Sequence, residues 1–156
     1  GEAADPTTSD QVWVLETNLD DISGEIIGHT SGLLMEAGAL DVYTTAIQMK
    51  KNRPGVTLSV LCETAIVSKL EKIIFRETAT LGIRRWLASR HKLERRPHTV
   101  ETPFGPIVGK LAVLADGSAS FSPEYESCRR AAAEKNAPLK DVYEAARRAY
   151  DSAKIK

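Results

Sequence analysis

The order of strand-like and helix-like segments over residues 12–96 is the feature that most limits how this chain can fold. Residues 12–17 alternate apolar side chains in the manner of a short buried strand. Apolar side chains then recur at helical spacing over 26–37 and stop at Gly38, a residue type that commonly ends helices. The chain therefore opens with a strand followed by a helix.

The next segment has the composition of a β-hairpin followed by a second helix and a strand. Residues 40–49 and 56–62 are rich in strand-forming side chains and flank the turn-forming sequence KKNRPG. Thr64 is suited to cap a helix, and residues 81–96 are predicted to form one long strand. The predicted buried stripe of that helix consists of Ile66, Val67, Leu70, Ile73 and Ile74. The full order is βαββαβ.

This order predicts an α+β fold of the ferredoxin-like kind, an antiparallel sheet with two helices on one face. In such a fold the end of the first strand, the turn between the second and third strands, and the start of the fourth strand share one edge of the sheet. Here those segments are residues 17–21, 49–55 and 75–85. We therefore expect three distant parts of the sequence to meet.

The three segments bring acidic, basic and hydroxyl side chains to that edge. Carboxylates suit a hard divalent cation, lysines act as point charges, and arginine forks pair with phosphate oxygens. Backbone N–H groups of a helix beginning near Ser23 add donors for an anion. The combination predicts a metal site together with a nucleotide or phosphate site. Its candidate residues are Asp20, Asp21, Lys50, Lys51, Arg53, Arg76, Glu77, Thr78, Thr80, Arg84 and Arg85.

Each of these groups also has a purely structural interpretation. Asp21 or Ser23 would serve as a helix cap, and the hairpin cations would form a solvated turn. Arg76 would pair with Glu77 at a helix end, and Arg84 would alternate toward solvent along its strand. Convergence at one edge favours the functional interpretation over these separate structural ones.

After residue 96 the pattern changes to short strands and then to helices. Turn-forming residues at 103–106 and 116–117 predict hairpins that extend the sheet. Ser122 is suited to cap a first helix, and Pro138 begins a second. The chain is therefore expected to end in two helices.

Glu124 and Glu126 fall in the first turn of the helix predicted after Ser122. Negative charge is favoured at a helix N-terminus, so a structural role is the default expectation for both. A metal or substrate role remains open for the same two carboxylates.

Composition argues against several classes of function. The 156 residues carry 21 basic and 21 acidic side chains, so the overall charge favours neither nucleic acid nor a membrane surface. No apolar run approaches the roughly 20 residues of a membrane span. Cys62 and Cys128 lie far apart, and the three histidines are scattered, which disfavours a zinc or nickel site. We expect a soluble, cytoplasmic protein with reduced thiols that binds no nucleic acid and no membrane.

The first eleven residues, GEAADPTTSDQ, lack an initiator methionine and are small and polar. We interpret residues 1–11 as a linker left where a domain was cut from a longer protein. Residues 12–156 are then expected to form a single ferredoxin-like nucleotide-binding domain with a C-terminal β-hairpin and a helical extension.

Six motifs occur in order over residues 15–128: LETNLDDISGE, MEAGALDVYTTAIQMKKNRPG, LSVLC, FRETATLGIR, TPFGPIVGK and SPEYESC. Together they resemble the C-terminal domain of the nickel-insertion proteins that mature the lactate racemase cofactor, the nickel-pincer nucleotide. Their joint occurrence is far more specific than any one of them.

The resemblance implies a CTP-dependent cyclometallase of lyase type. Such an enzyme inserts nickel into pyridinium-3,5-bisthiocarboxylic acid mononucleotide and forms carbon–nickel and sulfur–nickel bonds. The resemblance further implies that this domain binds CTP with manganese or magnesium and forms a homo-oligomer, a trimer or hexamer. Nickel and the chemistry would then require an additional N-terminal portion, so this fragment is expected to bind the nucleotide without completing the reaction.

On the same resemblance the site residues take specific roles. Asp20 and Asp21 are assigned to the hard metal. Glu124 and Glu126 are assigned to the nucleotide as the contribution of a neighbouring subunit. The residues assigned to the triphosphate are Lys50, Lys51, Arg53, Arg76 and Arg84, with Thr78 and Thr80 as hydroxyl donors.

The alternative function is a non-catalytic ferredoxin-like regulatory module that binds a phosphorylated effector and assembles oligomers. Such a module would bind its ligand without a metal requirement and without a preference for cytosine. An RNA-binding module of the same topology is disfavoured, because aromatic side chains for base stacking are sparse in the predicted strands.

Overall fold

The computed structural model describes residues 7–154 of the chain, which divide into two compact units. The first, here called the N-terminal unit, is Ser9–Arg90. The second, the C-terminal unit, comprises residues 7–8 and 91–154 among those described. The sequence prediction treated the later strands and helices as an extension of a single domain, whereas in the structure they belong to a unit of their own.

A four-stranded sheet and two helices build the N-terminal unit. The elements are β1 (Thr7–Leu19), α1 (Gly24–Glu36), β2 (Asp41–Gln48), β3 (Pro54–Cys62), α2 (Val67–Glu77) and β4 (Arg84–Leu93). The strand order is β2-β3-β1-β4, and β3 pairs antiparallel with both β1 and β2. The predicted ferredoxin-like βαββαβ fold is therefore confirmed.

The core of this unit lies between one face of the sheet and the two helices. Leu15 of β1 and Leu58 of β3 are almost completely buried on that face, against Leu34 of α1 and Leu70 and Ile74 of α2. Each fully buried side chain of this kind contributes about 1.5–3 kcal/mol. The cluster fixes both helices to the sheet and so fixes where their connecting loops lie.

Two predictions for this unit differ from the structure. β1 begins at Thr7, so residues 7–11 form strand where a linker was predicted, while residues 1–6 lie outside the described part of the chain. Thr64 does not cap α2 but lies in a 3-10 turn, Thr64–Ile66. Its hydroxyl accepts a hydrogen bond from Trp13 Nε1 at 3.1 Å, and this tertiary contact outweighs its local preference for capping.

The C-terminal unit contains a second sheet covered by two helices. Its elements are β5 (Arg95–Thr102), β6 (Gly105–Val113), β7 (Ala119–Pro123), α3 (Tyr125–Lys135) and α4 (Leu139–Lys154). The additional strands and the two helices were predicted, but the strands form a separate sheet of order β5-β6-β7 and do not extend the first one. Val100, Ile107, Cys128, Val142 and Ala146 form a separate buried cluster beneath the helices.

Two boundaries in this region also differ from prediction. β4 ends at Leu93, so Arg95 and Arg96 belong to β5 and not to one long strand over 81–96. Ser122 does not cap α3, because it pairs within the sheet opposite Lys110 on β6. None of the helices described over residues 7–154 is long and apolar enough to cross a membrane.

Candidate functional site

The junction between β1 and α1 carries two adjacent carboxylates, Asp20 and Asp21. Both residues are exposed, and Asp21 has a left-handed backbone (φ 47°), which aspartate tolerates better than most residues. Ser23 caps α1, since its Oγ accepts a hydrogen bond from the Ile26 N–H at 3.2 Å. The carboxylates are therefore not needed as caps, and neither has an ion-pair partner within residues 7–154.

Asp20 and Asp21 line two depressions in the surface of the N-terminal unit. One, of about 520 Å³, is completed by Pro54 and Gly55 at the start of β3. The other, of about 320 Å³, is completed by residues 77–80, which run from the end of α2 toward β4. The three segments that the topology predicts to meet therefore lie together around the two aspartates.

Gly55 lets the β2–β3 hairpin approach the end of β1 closely. A Cβ atom at this position would lie 2.8 Å from the carbonyl oxygen of Leu19 and 2.6 Å from Met49 Sδ. Both distances are too short for a real Cβ contact. In the sequence the Pro54–Gly55 pair indicates only a turn, whereas in the structure the glycine is required by packing beside the aspartates.

Two threonines hold the loop before β4 against β1. Thr17 Oγ1 lies 2.6 Å from Thr80 Oγ1, and each hydroxyl is within 3.0 Å of the Gly82 carbonyl oxygen. Thr78 is buried, and its hydroxyl donates to the Ile74 carbonyl oxygen at 2.7 Å. The hydroxyls of Thr78 and Thr80 thus have partners within the protein, and their predicted contact with a triphosphate stays a prediction.

Arg84 connects three strands on the sheet face opposite the helices. Its Nη2 donates to Glu16 Oε1 and to Asn18 Oδ1, both at 2.8 Å. Asn18 Oδ1 also accepts a hydrogen bond from Thr57 Oγ1 at 2.9 Å. The side chain is about half exposed (51%), yet its guanidinium is engaged by a carboxylate and does not simply point into solvent.

The arginines Arg76 and Arg85 are likewise paired with carboxylates. Arg76 Nε donates to Glu77 Oε1 at 2.9 Å, as in its structural interpretation, and Glu77 Oε2 lies 3.8 Å from His29 Nε2. Arg85 Nη1 donates to Glu71 Oε1 at 2.7 Å. A phosphate that contacts either guanidinium would share it with a carboxylate.

The cations at the tip of the β2–β3 hairpin differ from these arginines in their ion pairing. Lys50, Lys51 and Arg53 are exposed, and none has an ion-pair partner in the described part of the chain. Lys51 and Asn52 adopt left-handed φ values of 60° and 57°. Asn52 Oδ1 accepts a hydrogen bond from Gln48 Nε2 at 2.9 Å, so the turn is stabilised by its own side chains.

Glu124 and Glu126 lie in the C-terminal unit, at the start of α3. Glu124 precedes the helix, and its backbone N–H donates to the Val108 carbonyl oxygen at 2.9 Å. Glu126 accepts from Arg129 Nη2 at 2.9 Å in an i,i+3 pair. The Glu124 carboxylate makes no cap hydrogen bond to α3, and Glu126 is engaged on the helix surface.

The donor set around Asp20 and Asp21 fits a hard divalent cation that is shared with a phosphate. No group of three or more histidine, cysteine or acidic side chains among the described residues could enclose a metal. Magnesium commonly binds through one or two carboxylates and completes its octahedral shell with substrate phosphates and water. Two adjacent aspartates beside an open depression meet that requirement.

Comparison with known proteins identifies the family. The family model for nickel insertion proteins matches residues 2–143. A putative nickel insertion protein of Pelobacter propionicus is 49% identical over 134 residues, which make up 86% of this chain and 34% of that protein. The chain belongs to the nickel insertion protein family. The resemblance drawn from its six motifs is thereby confirmed.

Other relatives carry more specific names. A protein of Acetivibrio thermocellus named pyridinium-3,5-bisthiocarboxylic acid mononucleotide nickel insertion protein is 46% identical over 90% of this chain and 34% of its own length. A solved structure described as the apo C-terminal domain of a cyclometallase involved in the synthesis of the NPN cofactor of lactate racemase superposes with a TM-score of 0.83. It is 40% identical, and the match covers 92% of this chain and 99% of that one.

A protein of Methanopyrus kandleri shares the fold at a TM-score of 0.62 and 24% identity, covering 91% and 90% of the two chains. This chain spans about a third of the length of the curated relatives that it matches. In extent it corresponds to the C-terminal domain of the cyclometallase.

Proposed function

We propose that this chain is the CTP- and divalent-metal-binding part of a nickel insertion enzyme. The complete enzyme would insert nickel into pyridinium-3,5-bisthiocarboxylic acid mononucleotide and so make the nickel-pincer nucleotide cofactor of lactate racemase. The observation that carries the nucleotide assignment is the pair Asp20 and Asp21, where three segments converge beside an open depression. Neither carboxylate has an ion-pair partner among the residues that the structure describes.

The metal assignment rests on the chemistry of that pair. Asp20 and Asp21 would hold manganese or magnesium together with phosphate oxygens of CTP, and the ion would neutralise part of the triphosphate charge. The carboxylates do not have to give up an ion pair to do so. Nickel is the inserted metal and therefore a substrate, and no nickel ligands are assigned in this chain.

The phosphate assignment is supported most strongly at the hairpin tip. Lys50, Lys51 and Arg53 follow β2 on the hairpin whose far side, at Pro54 and Gly55, lines the depression with the aspartates. Their charges are not neutralised by carboxylates within the described residues, so an incoming triphosphate displaces no ion pair. Arg76, Arg84, Thr78 and Thr80 remain predicted contacts, and each already has a partner within the protein.

A homo-oligomer would allow Glu124 and Glu126 of one copy to act at the nucleotide of a neighbouring copy. This part of the proposal rests on the position of both residues in the SPEYESC motif. An E124A, E126A double variant that binds CTP as tightly as the wild type, in the same oligomeric state, would remove the two residues from the site.

Calorimetric titration with CTP, ATP, GTP and UTP, each with and without manganese, tests the proposed function. The expected result is metal-dependent binding that prefers CTP and is lost in an Asp20→Ala, Asp21→Ala variant. The matched control, Glu36→Ala with Glu134→Ala, removes two exposed carboxylates and should leave binding unchanged. Binding that needs no metal and ignores the base would contradict the proposal and favour the regulatory module.

A further inference from the structure

The C-terminal unit contains a second charged depression, which the proposed nucleotide site does not use. This basic groove has a volume of about 390 Å³ and is lined by four basic side chains, Lys92, Arg95, Arg96 and Lys110, with one acidic side chain, Glu94. Its size lies within the range of small-molecule sites, about 300–1,000 Å³. A local excess of positive charge in a chain of zero net charge indicates a preference for anions.

The strand register explains how Arg95 and Lys110 come together. β5 pairs antiparallel with β6, with Arg95 opposite Ala112 and Pro97 opposite Lys110. Because side chains alternate along a strand, Arg95 and Lys110 are diagonal neighbours on one face, whereas Arg96 belongs to the opposite face and lines the groove from its edge. Such neighbours lie about 7–8 Å apart, which is within reach of two long side chains converging on one anion.

Three cations of the groove have no carboxylate partner in the described part of the chain. Arg95, Arg96 and Lys110 have no ion-pair partner among residues 7–154, whereas Arg90, a few residues earlier, is held by Asp10 through two hydrogen bonds of 3.0 and 2.8 Å. Like charges held side by side repel each other, and a bound anion relieves that repulsion. Arg95 also supplies a forked donor that matches phosphate oxygens.

The edge of the sheet at this groove is closed to another strand. β5 is an edge strand, and Pro97, which lines the groove, has no backbone N–H to donate to an added strand. A protein partner that adds a strand along the β5 backbone is therefore disfavoured at this point. A small anion contacts the side chains instead, so the proline does not hinder its binding.

We propose that the basic groove binds the phosphate of a small phosphomonoester, and that this ligand is the precursor mononucleotide whose nickel insertion is proposed above. The identity of the ligand rests on the proposed function, but the phosphate chemistry of the groove does not. The chain would then bind its two phosphate-bearing ligands at separate places, the triphosphate in the N-terminal unit and the mononucleotide in the C-terminal unit.

The test uses nicotinic acid mononucleotide, a pyridinium mononucleotide, as the probe. Calorimetry compares the wild-type chain with an Arg95→Gln, Arg96→Gln, Lys110→Gln variant and with a control, Lys69→Gln, Lys72→Gln, Arg130→Gln, which removes three exposed charges elsewhere. Circular dichroism and thermal melts verify that both variants fold. We expect the groove variant to lose at least about tenfold in affinity, and the control to lose less than about twofold.

Binding by the wild type should also weaken as salt is added and strengthen as pH rises through about 6, where a phosphomonoester gains its second charge. A purely structural role for the three cations would not produce that pH dependence. Equal affinity in wild type and groove variant, or no binding of the mononucleotide by the wild type, overturns the proposal. If the groove variant loses affinity for CTP and keeps its affinity for the mononucleotide, the groove does not bind the mononucleotide and the proposal is overturned.

Inorganic phosphate and CTP with manganese, titrated into the same variants, separate this proposal from the proposed function. If the wild type does not bind CTP but binds the mononucleotide through the groove, the proposed CTP site is wrong and the proposed groove site is supported. If the wild type binds CTP and the groove variant keeps the wild-type affinity for the mononucleotide, the groove proposal is wrong and the CTP site is supported.

Discussion

Thr17 on β1 and Thr80 in the loop before β4 approach each other to 2.6 Å between their Oγ1 atoms. The contact joins residues that are 63 positions apart in the sequence. Both hydroxyls also meet the Gly82 carbonyl oxygen, so the loop is held beside the two aspartates by a small polar network.

Replacing Thr17 with valine tests this network. Thr17 is almost fully buried (2% exposed), so valine removes the hydroxyl with little change of shape and leaves the Gly82 carbonyl one donor short. We expect the free energy of unfolding in urea to fall by about 1–2 kcal/mol. Thr45→Val, on the exposed edge strand β2, is the matched control and should not destabilise the chain. Equal stability of the two variants would show that the network contributes nothing.

Gly55→Ala tests the close approach of the hairpin to β1. The added Cβ would meet the Leu19 carbonyl oxygen and Met49 Sδ, so we expect a loss of about 1–3 kcal/mol in the free energy of unfolding. Gly28→Ala in α1 places the new Cβ more than 4 Å from any atom outside the local helix backbone and should instead stabilise by about 0.5–1 kcal/mol. Opposite signs for the two Gly→Ala changes support the packing account, and a neutral Gly55→Ala contradicts it.

The two buried cysteines are expected to lower the free energy of unfolding at alkaline pH. Burial raises the pKa of the Cys62 thiol and of the Cys128 thiol above its ordinary value. The unfolded thiols ionise near pH 8.5, whereas the folded ones keep their protons. Their contribution to stability is therefore present below about pH 8.5 and declines as pH rises toward the folded pKa.

Urea unfolding at about pH 7.5 and about pH 9.5 measures this loss. A Cys62→Ala, Cys128→Ala variant should lose less stability over the same interval than the wild type, although cavities make it less stable at neutral pH. In the native wild type both thiols should also resist a disulfide reagent until the chain unfolds. Rapid labelling of either cysteine in the folded chain would contradict the burial account.

Removal of the hairpin cations should weaken nucleotide binding. A Lys50→Gln, Lys51→Gln, Arg53→Gln variant is expected to bind CTP with manganese at least about tenfold more weakly, because the triphosphate loses its uncompensated cations. Its affinity should also fall less with added salt than that of the wild type. The control variant at Lys69, Lys72 and Arg130 carries the same change of net charge. Equal loss of CTP affinity in both variants would show that net charge, and not the hairpin, causes the effect.

The fold could be predicted as far as local patterns determine it. Alternating and helical spacing over residues 12–96 specify the six elements, and their order leaves the ferredoxin-like sheet as the simplest arrangement. After residue 96 the same kind of pattern indicates strands but not which strands pair with each other. The later strands were therefore expected to extend the first sheet, whereas they form a second one. Thr64 and Ser122 show the related limit, because Trp13 and Lys110 lie far away in the sequence and override a local preference for capping.

The candidate site likewise has features that the sequence predicts and features that depend on distant contacts. The meeting of three segments around Asp20 and Asp21 could be predicted, since topology alone determines which ends of the strands share an edge. The partners of Arg84 and Thr80 could not, because they depend on the register between β1 and β4 and on side-chain geometry. Gly55 was read as a turn signal because its packing role appears only once Leu19 is beside it.

A crystal structure of this chain grown with CTP and manganese would test the metal and nucleotide assignment at Asp20 and Asp21. We expect an anomalous manganese peak at their carboxylates, with triphosphate density extending toward Lys50, Lys51 and Arg53. Manganese and CTP bound elsewhere, with those carboxylates uninvolved, would contradict that assignment.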